Sequence, residues 1–108
     1  MKSNYNDALQ HFHNGKINQA KEICTEILKS EPNNSNAYYL LGVISFQTKD
    51  YIKSDELISK AIEINPKNSE FYNFKGIALV HLRKFEEAIE SWTKAIKIDP
   101  NSLDAYNN

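Results

Sequence analysis

Three features of this 108-residue sequence together predict an all-α chain of stacked antiparallel helix pairs, an α-solenoid. First, the three prolines, Pro32, Pro66 and Pro100, stand 34 residues apart each time. A residue barred from helix interiors that recurs at one interval marks a repeating unit. Second, the flanking residues repeat with it: Ile27-Leu28-Lys29-Ser30-Glu31-Pro32 aligns with Ala61-Ile62-Glu63-Ile64-Asn65-Pro66 and with Ala95-Ile96-Lys97-Ile98-Asp99-Pro100. Third, the apolar residues between prolines recur at three-to-four spacing in two runs separated by a short break, so each unit reads helix, turn, helix.

The units span about 1–34, 35–68 and 69–102, with 103–108 opening a fourth in which Tyr106 takes the place of Tyr38 and Tyr72. In the first unit Ala8, Ala20, Cys24 and Pro32 keep the pattern. Asn4 and Asp7 replace apolar residues, as expected of an exposed terminal unit. In the second, Tyr38, Leu41, Gly42 and Ser45 mark one helix. Lys49-Asp50 forms the break, and Leu57, Ile58, Ala61, Ile62 and Ile64 mark the next helix. In the third, Phe71, Phe74, Ile77 and Ala78 precede a break at Arg83-Lys84, and Ala88, Ile89, Trp92, Ala95 and Ile96 follow it. Ser35 and Ser69 are the expected N-caps of the first helices, with Asp50 near the start of a second. Gly42 and Gly76 fall mid-helix, where glycine costs about 1 kcal/mol against alanine. Their recurrence points to two helices crossing too closely there for a side chain.

These residues resemble the tetratricopeptide repeat family: Tyr38, Leu41, Gly42, Tyr51, Ala61 and Pro66 in the second unit, and Tyr72, Gly76, Phe85, Ala88, Trp92, Ala95 and Pro100 in the third. The departures are Ser54 where alanine is usual and Lys75 where leucine is usual, both expected to soften local packing. The resemblance implies a right-handed superhelix whose first helices line a concave groove. Carried over position by position, the groove residues are Lys2, Tyr5, Leu9, Phe12 and His13; Asn36, Tyr39, Val43, Phe46 and Gln47; and Glu70, Asn73, Ile77, Val80 and His81. Charge favours the same assignment. The stretch from Ser35 to Thr48 holds no charged residue, whereas the second helices carry mixed signs such as Lys53, Asp55, Glu56, Lys60 and Glu63, the pattern of a solvated outside.

An apolar groove with tyrosines and a polar rim fits a non-catalytic scaffold that binds a protein partner as an extended peptide or amphipathic helix. Phe12, Phe46, Val43, Ile77 and Val80 also suit simple packing between neighbouring helices. The resemblance allows one subtype to be tested. Repeat domains that clamp acidic chaperone tails place Lys and Asn, then Asn, then Lys and Arg where this chain has Tyr5 and Leu9, Leu40, and Glu70 and Phe74, so a carboxylate clamp is not expected. The alternative function is the substrate-recruiting N-terminal segment of a larger repeat-containing transferase similar to O-GlcNAc transferases, of which an asparagine ladder would be the sign. Only Asn6 and Asn108 fit it, with Leu40 and Phe74 between. Self-association through the uncapped edge of the Glu86–Ile98 helix is a third reading, since solenoids normally end in a polar face.

Composition excludes other classes. Thirteen basic against 14 acidic side chains leave a net charge of −1, without the cationic surplus that phosphate contact requires, so no nucleic-acid partner is expected. The apolar stretch from Ala37 to Phe46 is far below the ~20 residues needed to cross a bilayer, and with no apolar leader the chain is expected to be cytoplasmic. Cys24 is the only cysteine and falls at a core position. His11 and His13 are two apart on one helix and point to different faces, while His13 and His81 suit solvated groove edges, so no metal or cofactor is expected. No phosphate loop or nucleophile motif occurs, and Asn33-Asn34-Ser35 reads as an inter-unit turn.

Overall fold

A computed structural model describes residues 4–101 and places six α-helices: α1 Tyr5–His13, α2 Ile17–Ser30, α3 Ser35–Gln47, α4 Tyr51–Ile64, α5 Ser69–His81 and α6 Phe85–Ile98. The expected opening of a fourth unit, with Tyr106, and the groove residue Lys2 lie outside the described residues.

Side-chain oxygens fix the starts of α1, α3, α4 and α5. Asn34 accepts from the Ala37 amide at 3.0 Å and Asn68 from the Phe71 amide at 3.3 Å, so the caps precede the expected Ser35 and Ser69 by one residue. Their extended backbone lets the amide oxygen reach a third-position N–H that would otherwise lack a partner. Asp50 caps α4 as expected, accepting from Lys53. At α1, Asn4 and Asp7 form a reciprocal capping box: Asn4 Oδ1 accepts from the Asp7 amide at 3.0 Å, and Asp7 Oδ2 from the Asn4 amide at 3.1 Å. The two polar residues at apolar positions therefore begin the first helix.

Each first helix ends in the same way. Gly15, Lys49 and Arg83 have φ of +79°, +66° and +62°, and the chain reverses at each of them. Their amides donate to Phe12, Phe46 and Val80, and the amides of Lys16, Asp50 and Lys84 donate to His11, Ser45 and Leu79. This pair of bonds satisfies carbonyls that a helix end leaves open. Only the first turn uses glycine. Lys49 and Arg83 adopt the left-handed conformation at a cost of roughly 1–2 kcal/mol each.

Within a pair, contact is close enough to restrict side-chain size. A Cβ at Gly42 would lie 2.7 Å from Ile58 Cγ1 and 3.3 Å from the Ser54 carbonyl, and one at Gly76 would fall within the Trp92 indole. The indole Nε1 donates to the Asn73 carbonyl at 3.1 Å, holding the ring across α5. Ala20, Cys24, Ala37, Ile58, Ala61, Ala78, Leu79, Ala88 and Ala95 are wholly buried along these crossings. Ser54 is equally buried, and its Oγ has no hydrogen-bond partner.

Lys75 does not soften the packing as expected. Half-buried, it reaches from α5 to α4, with its Nζ 2.8 Å from Asp55 Oδ1 and 2.5 Å from Ser59 Oγ. A cation stands where leucine is usual because two polar side chains of the preceding helix face it. Successive pairs stack through α2 on α3 and α4 on α5. Among the described residues α1 also touches α3 and α3 touches α5, whereas no comparable contact joins α2 to α4 or α4 to α6. Crowding on one side and splaying on the other curve the array toward α1, α3 and α5.

Ser54→Ala is expected to raise stability by about 1 kcal/mol, because it removes an unpaired buried hydroxyl from a position that Ala20 and Ala88 fill without a void. Gly76→Ala should lower stability by about 1–3 kcal/mol by displacing the Trp92 ring. Urea denaturation measures both, and a less stable Ser54→Ala protein would contradict the orphan-hydroxyl reading.

Candidate peptide-binding face

The face toward which the array curves is built from α1, α3 and α5. Tyr5, Leu9, Phe12, Tyr39, Val43, Phe46, Asn73, Ile77 and Val80 are half-buried there, and His13, Asn36, Gln47 and His81 are exposed. None of the thirteen is buried. Their immediate neighbours Ala8, Ala37, Leu40, Ile44, Ala78 and Leu79 are, because they turn into the helix pairs.

Two groups among the thirteen are packed in different ways. Tyr5, Leu9 and Phe12 lean on the core shared by α1, α2 and α3, around Ala8, Cys24, Leu40 and Ile44. Burial pushes the Tyr5 phenol up to about 12, with the acidic groups of Cys24 and Glu70 adding to the shift, so this tyrosine presents a neutral hydroxyl. The second group is held by ring contacts between α3 and α5. Tyr39 lies 4.9 Å from Phe71 and 5.9 Å from Phe74, centroid to centroid. Phe46 lies 5.2 Å from Phe74, 5.2 Å from Tyr51 and 4.8 Å from His81, and His81 lies 4.7 Å from Tyr51. Offset and edge-on pairs at these distances each add about 0.5–1.5 kcal/mol beyond their buried area.

Tyr39 is therefore packed between helices more than its sequence position suggests, since Phe71 and Phe74 clasp its ring. Phe74 and Tyr51 belong to this surface and are absent from the set inferred from the sequence. The signal for Phe74 was its helical spacing from Phe71, three residues on the same helix. Asn73 supplies the carbonyl that receives the Trp92 N–H, so its backbone is committed to α6. The rim histidine His81 has its Nδ1 3.0 Å from the Ile77 carbonyl, and His11 its Nδ1 2.8 Å from the Asp7 carbonyl. His13 meets the edge of Phe12 at 5.6 Å.

What the face can do chemically follows from these groups. It offers apolar and aromatic area, amides and imidazoles, and almost no charge: Glu70 lies exposed at the start of α5, and the Lys75 ammonium is taken by Asp55 and Ser59. Among the described residues no group of three or more His, Cys, Asp or Glu side chains could hold a metal ion. No helix among them is long and apolar enough to cross a membrane.

A family model described as anaphase-promoting complex, cyclosome, subunit 3 matches residues 13–95, and the chain belongs to that family, one of tetratricopeptide-type helical repeats. Solved structures share the fold. The first such domain of Spaghetti (RPAP3), bound to the HSP90 peptide SRMEEVD, superimposes with a TM-score of 0.89 at 22% identity, covering 95% of this chain and 82% of that one. The Arabidopsis OM64 domain gives 0.86 at 21% identity, over 93% of this chain and 83% of the other. A mutant O-GlcNAc transferase of Thermobaculum terrenum gives 0.83 at 24% identity, over 94% of this chain but only 20% of that one. No curated protein matches.

Burial also pushes the Cys24 thiol up from 9.0 to about 11. The folded protein keeps this proton at pH values where the unfolded chain releases it, so the contribution to stability is full below pH 9.0 and is lost as the pH rises through about 11. At neutral pH an alkylating probe should label Cys24 only as fast as the chain unfolds; immediate stoichiometric labelling of the native protein would show the thiol to be accessible.

Proposed function

We propose that this chain is a non-catalytic protein-interaction scaffold that binds an extended peptide or amphipathic helix along the face of α1, α3 and α5. One observation carries the reading: every one of the thirteen groove positions keeps solvent exposure while Ala8, Ala37, Leu40, Ile44, Ala78 and Leu79 beside them are buried, so an apolar, nearly uncharged strip is left open. Val43, Ile77 and Val80 supply its apolar floor. Tyr39 and Phe46, fixed by their ring contacts, are rigid walls that lose little entropy on binding. Asn36, Gln47, His13 and His81 are the polar rim that sets register through hydrogen bonds. The bound partner is an apolar-anchored segment, with apolar side chains at every second position if extended or at three-to-four spacing if helical.

The structural neighbours that hold chaperone peptides share the fold at identities of 22% and 19%. Their ligand does not follow from that likeness. A clamp for an acidic tail needs cations and asparagines where this chain has Tyr5, Leu9, Leu40, Glu70 and Phe74, and Glu70 would repel it. The likeness to the transferase is likewise one of fold, over a fifth of that enzyme, and no residue of the face adds to it.

A random peptide library selected on the protein should yield ligands rich in apolar anchors and poor in acids. Val43→Glu should weaken such a ligand by about tenfold or more, and so should the exposed pair Asn36→Glu with Gln47→Glu, while Thr25→Glu on α2 leaves it unchanged. Fluorescence anisotropy reads all three, and equal affinity for wild type and both face variants would end the proposal. In the same assay the peptide SRMEEVD should show no saturable binding.

A further inference from the structure

One apolar surface lies outside this face, on an edge of α6 that no other described helix covers. Phe85 and Ile89 are 56% and 61% exposed, and they continue through half-buried Trp92 and Ile96 as a stripe at helical spacing. The equivalent residues of α4, 34 positions earlier, are Tyr51, Asp55, Ile58 and Ile62. There a neighbouring helix covers the edge: Tyr51 meets His81 of α5, and Asp55 pairs with Lys75. On α2 the same two edge positions are Ile17 and Lys21. Only α6 of the three second helices has an apolar residue at both.

We propose that this edge binds a second copy of the chain, α6 against α6 in antiparallel orientation. Charge identifies the occupant and its direction. Along α6 the acids Glu86, Glu87 and Glu90 occupy the first half and the bases Lys94 and Lys97 the second, whereas α2 and α4 mix their signs. At 100° per residue, Glu86, Glu90 and Lys97 fall on one flank of the stripe. A two-fold axis near the middle of the helix sets Phe85 against Ile96 of the second copy and Ile89 against its Trp92. In antiparallel pairs like flanks face each other, so Glu86 meets Lys97 of the second copy twice over. Parallel pairing would set like charges together. A contact along a helix of 14 residues, about 21 Å, is at the small end of specific interfaces, so the dimer is weak, with a dissociation constant on the order of micromolar.

Sedimentation equilibrium of the full chain across micromolar concentrations tests this, with circular dichroism confirming that each variant is folded. Wild type should dimerise reversibly. Ile89→Asp, which installs the residue that α4 carries there, should weaken the dimer by at least about tenfold, and Ile52→Asp, a change to another exposed isoleucine away from the stripe, should leave it intact. Lys97→Glu alone should also weaken it, and adding Glu86→Lys should restore association by reversing both partners. A wild type that stays monomeric throughout, an Ile89→Asp protein that associates as wild type does, or a Lys97→Glu, Glu86→Lys double reversal that fails to recover would overturn the proposal.

Discussion

The closeness of the two helices in each pair is the constraint on which the rest of this structure depends. The eighth residue of each unit faces the twenty-fourth across the crossing, and their sizes compensate: Ala8 with Cys24, Gly42 with Ile58, Gly76 with Trp92. Where the second helix carries a thiol, the first can keep a methyl; where it carries an isoleucine or an indole, the first must have no side chain at all. Each glycine costs about 1 kcal/mol of helix propensity, and the larger partner offsets that cost with buried area. The same position is filled in a different way in each pair, and successive pairs stack through α2 on α3 and α4 on α5 with their first helices on one side.

On that side, burial and exposure alternate at a resolution that neither composition nor charge could supply. The first helices have a bare minimum of charge because their outward strip is still half covered by neighbours, and a lysine there needs a built partner. Lys75 has one in Asp55 and Ser59, which is why a cation survives at an apolar position of the repeat. The same crowding gives Tyr39 and Phe46 their fixed orientation: Phe71, Phe74 and Tyr51 surround them from two other helices. The face is shaped by packing between pairs, and the ligand chemistry proposed for it follows from what the packing leaves open.

Much of this was legible in the sequence. The 34-residue period gives the helix pairs, the glycines give the close crossings, and the charge-free run from Ser35 to Thr48 gives the sidedness, since all three rest on residue type at a fixed interval. What escaped depends on geometry between units. Asn34 and Asn68, and not the serines beside them, cap their helices, because it is the asparagines that keep the extended backbone which aims a side-chain oxygen at the third N–H. Phe74 reads in the sequence as a periodic apolar residue of its helix and a mismatch to a chaperone-tail clamp, since nothing along its own helix reveals that Tyr39 and Phe46 converge on it from another. Lys49 and Arg83 gave no sign of a left-handed conformation, which Gly15 alone advertises. Lys75 looked like a packing fault until its partners, 16 and 20 residues away, were in view.

The uncharged helix α3 has a consequence for how the chain is made. Thirteen residues without a charge form a helix too short to persist alone in water and apolar enough to aggregate if left waiting. Synthesis delivers α1 and α2 first, and the core they begin around Ala8, Ala20, Cys24 and Ile27 is the one that Ala37, Leu40 and Ile44 complete. The ribosome therefore releases α3 onto a surface already prepared for it. The order of units along the chain protects its most vulnerable helix during birth, a role that the finished array no longer displays.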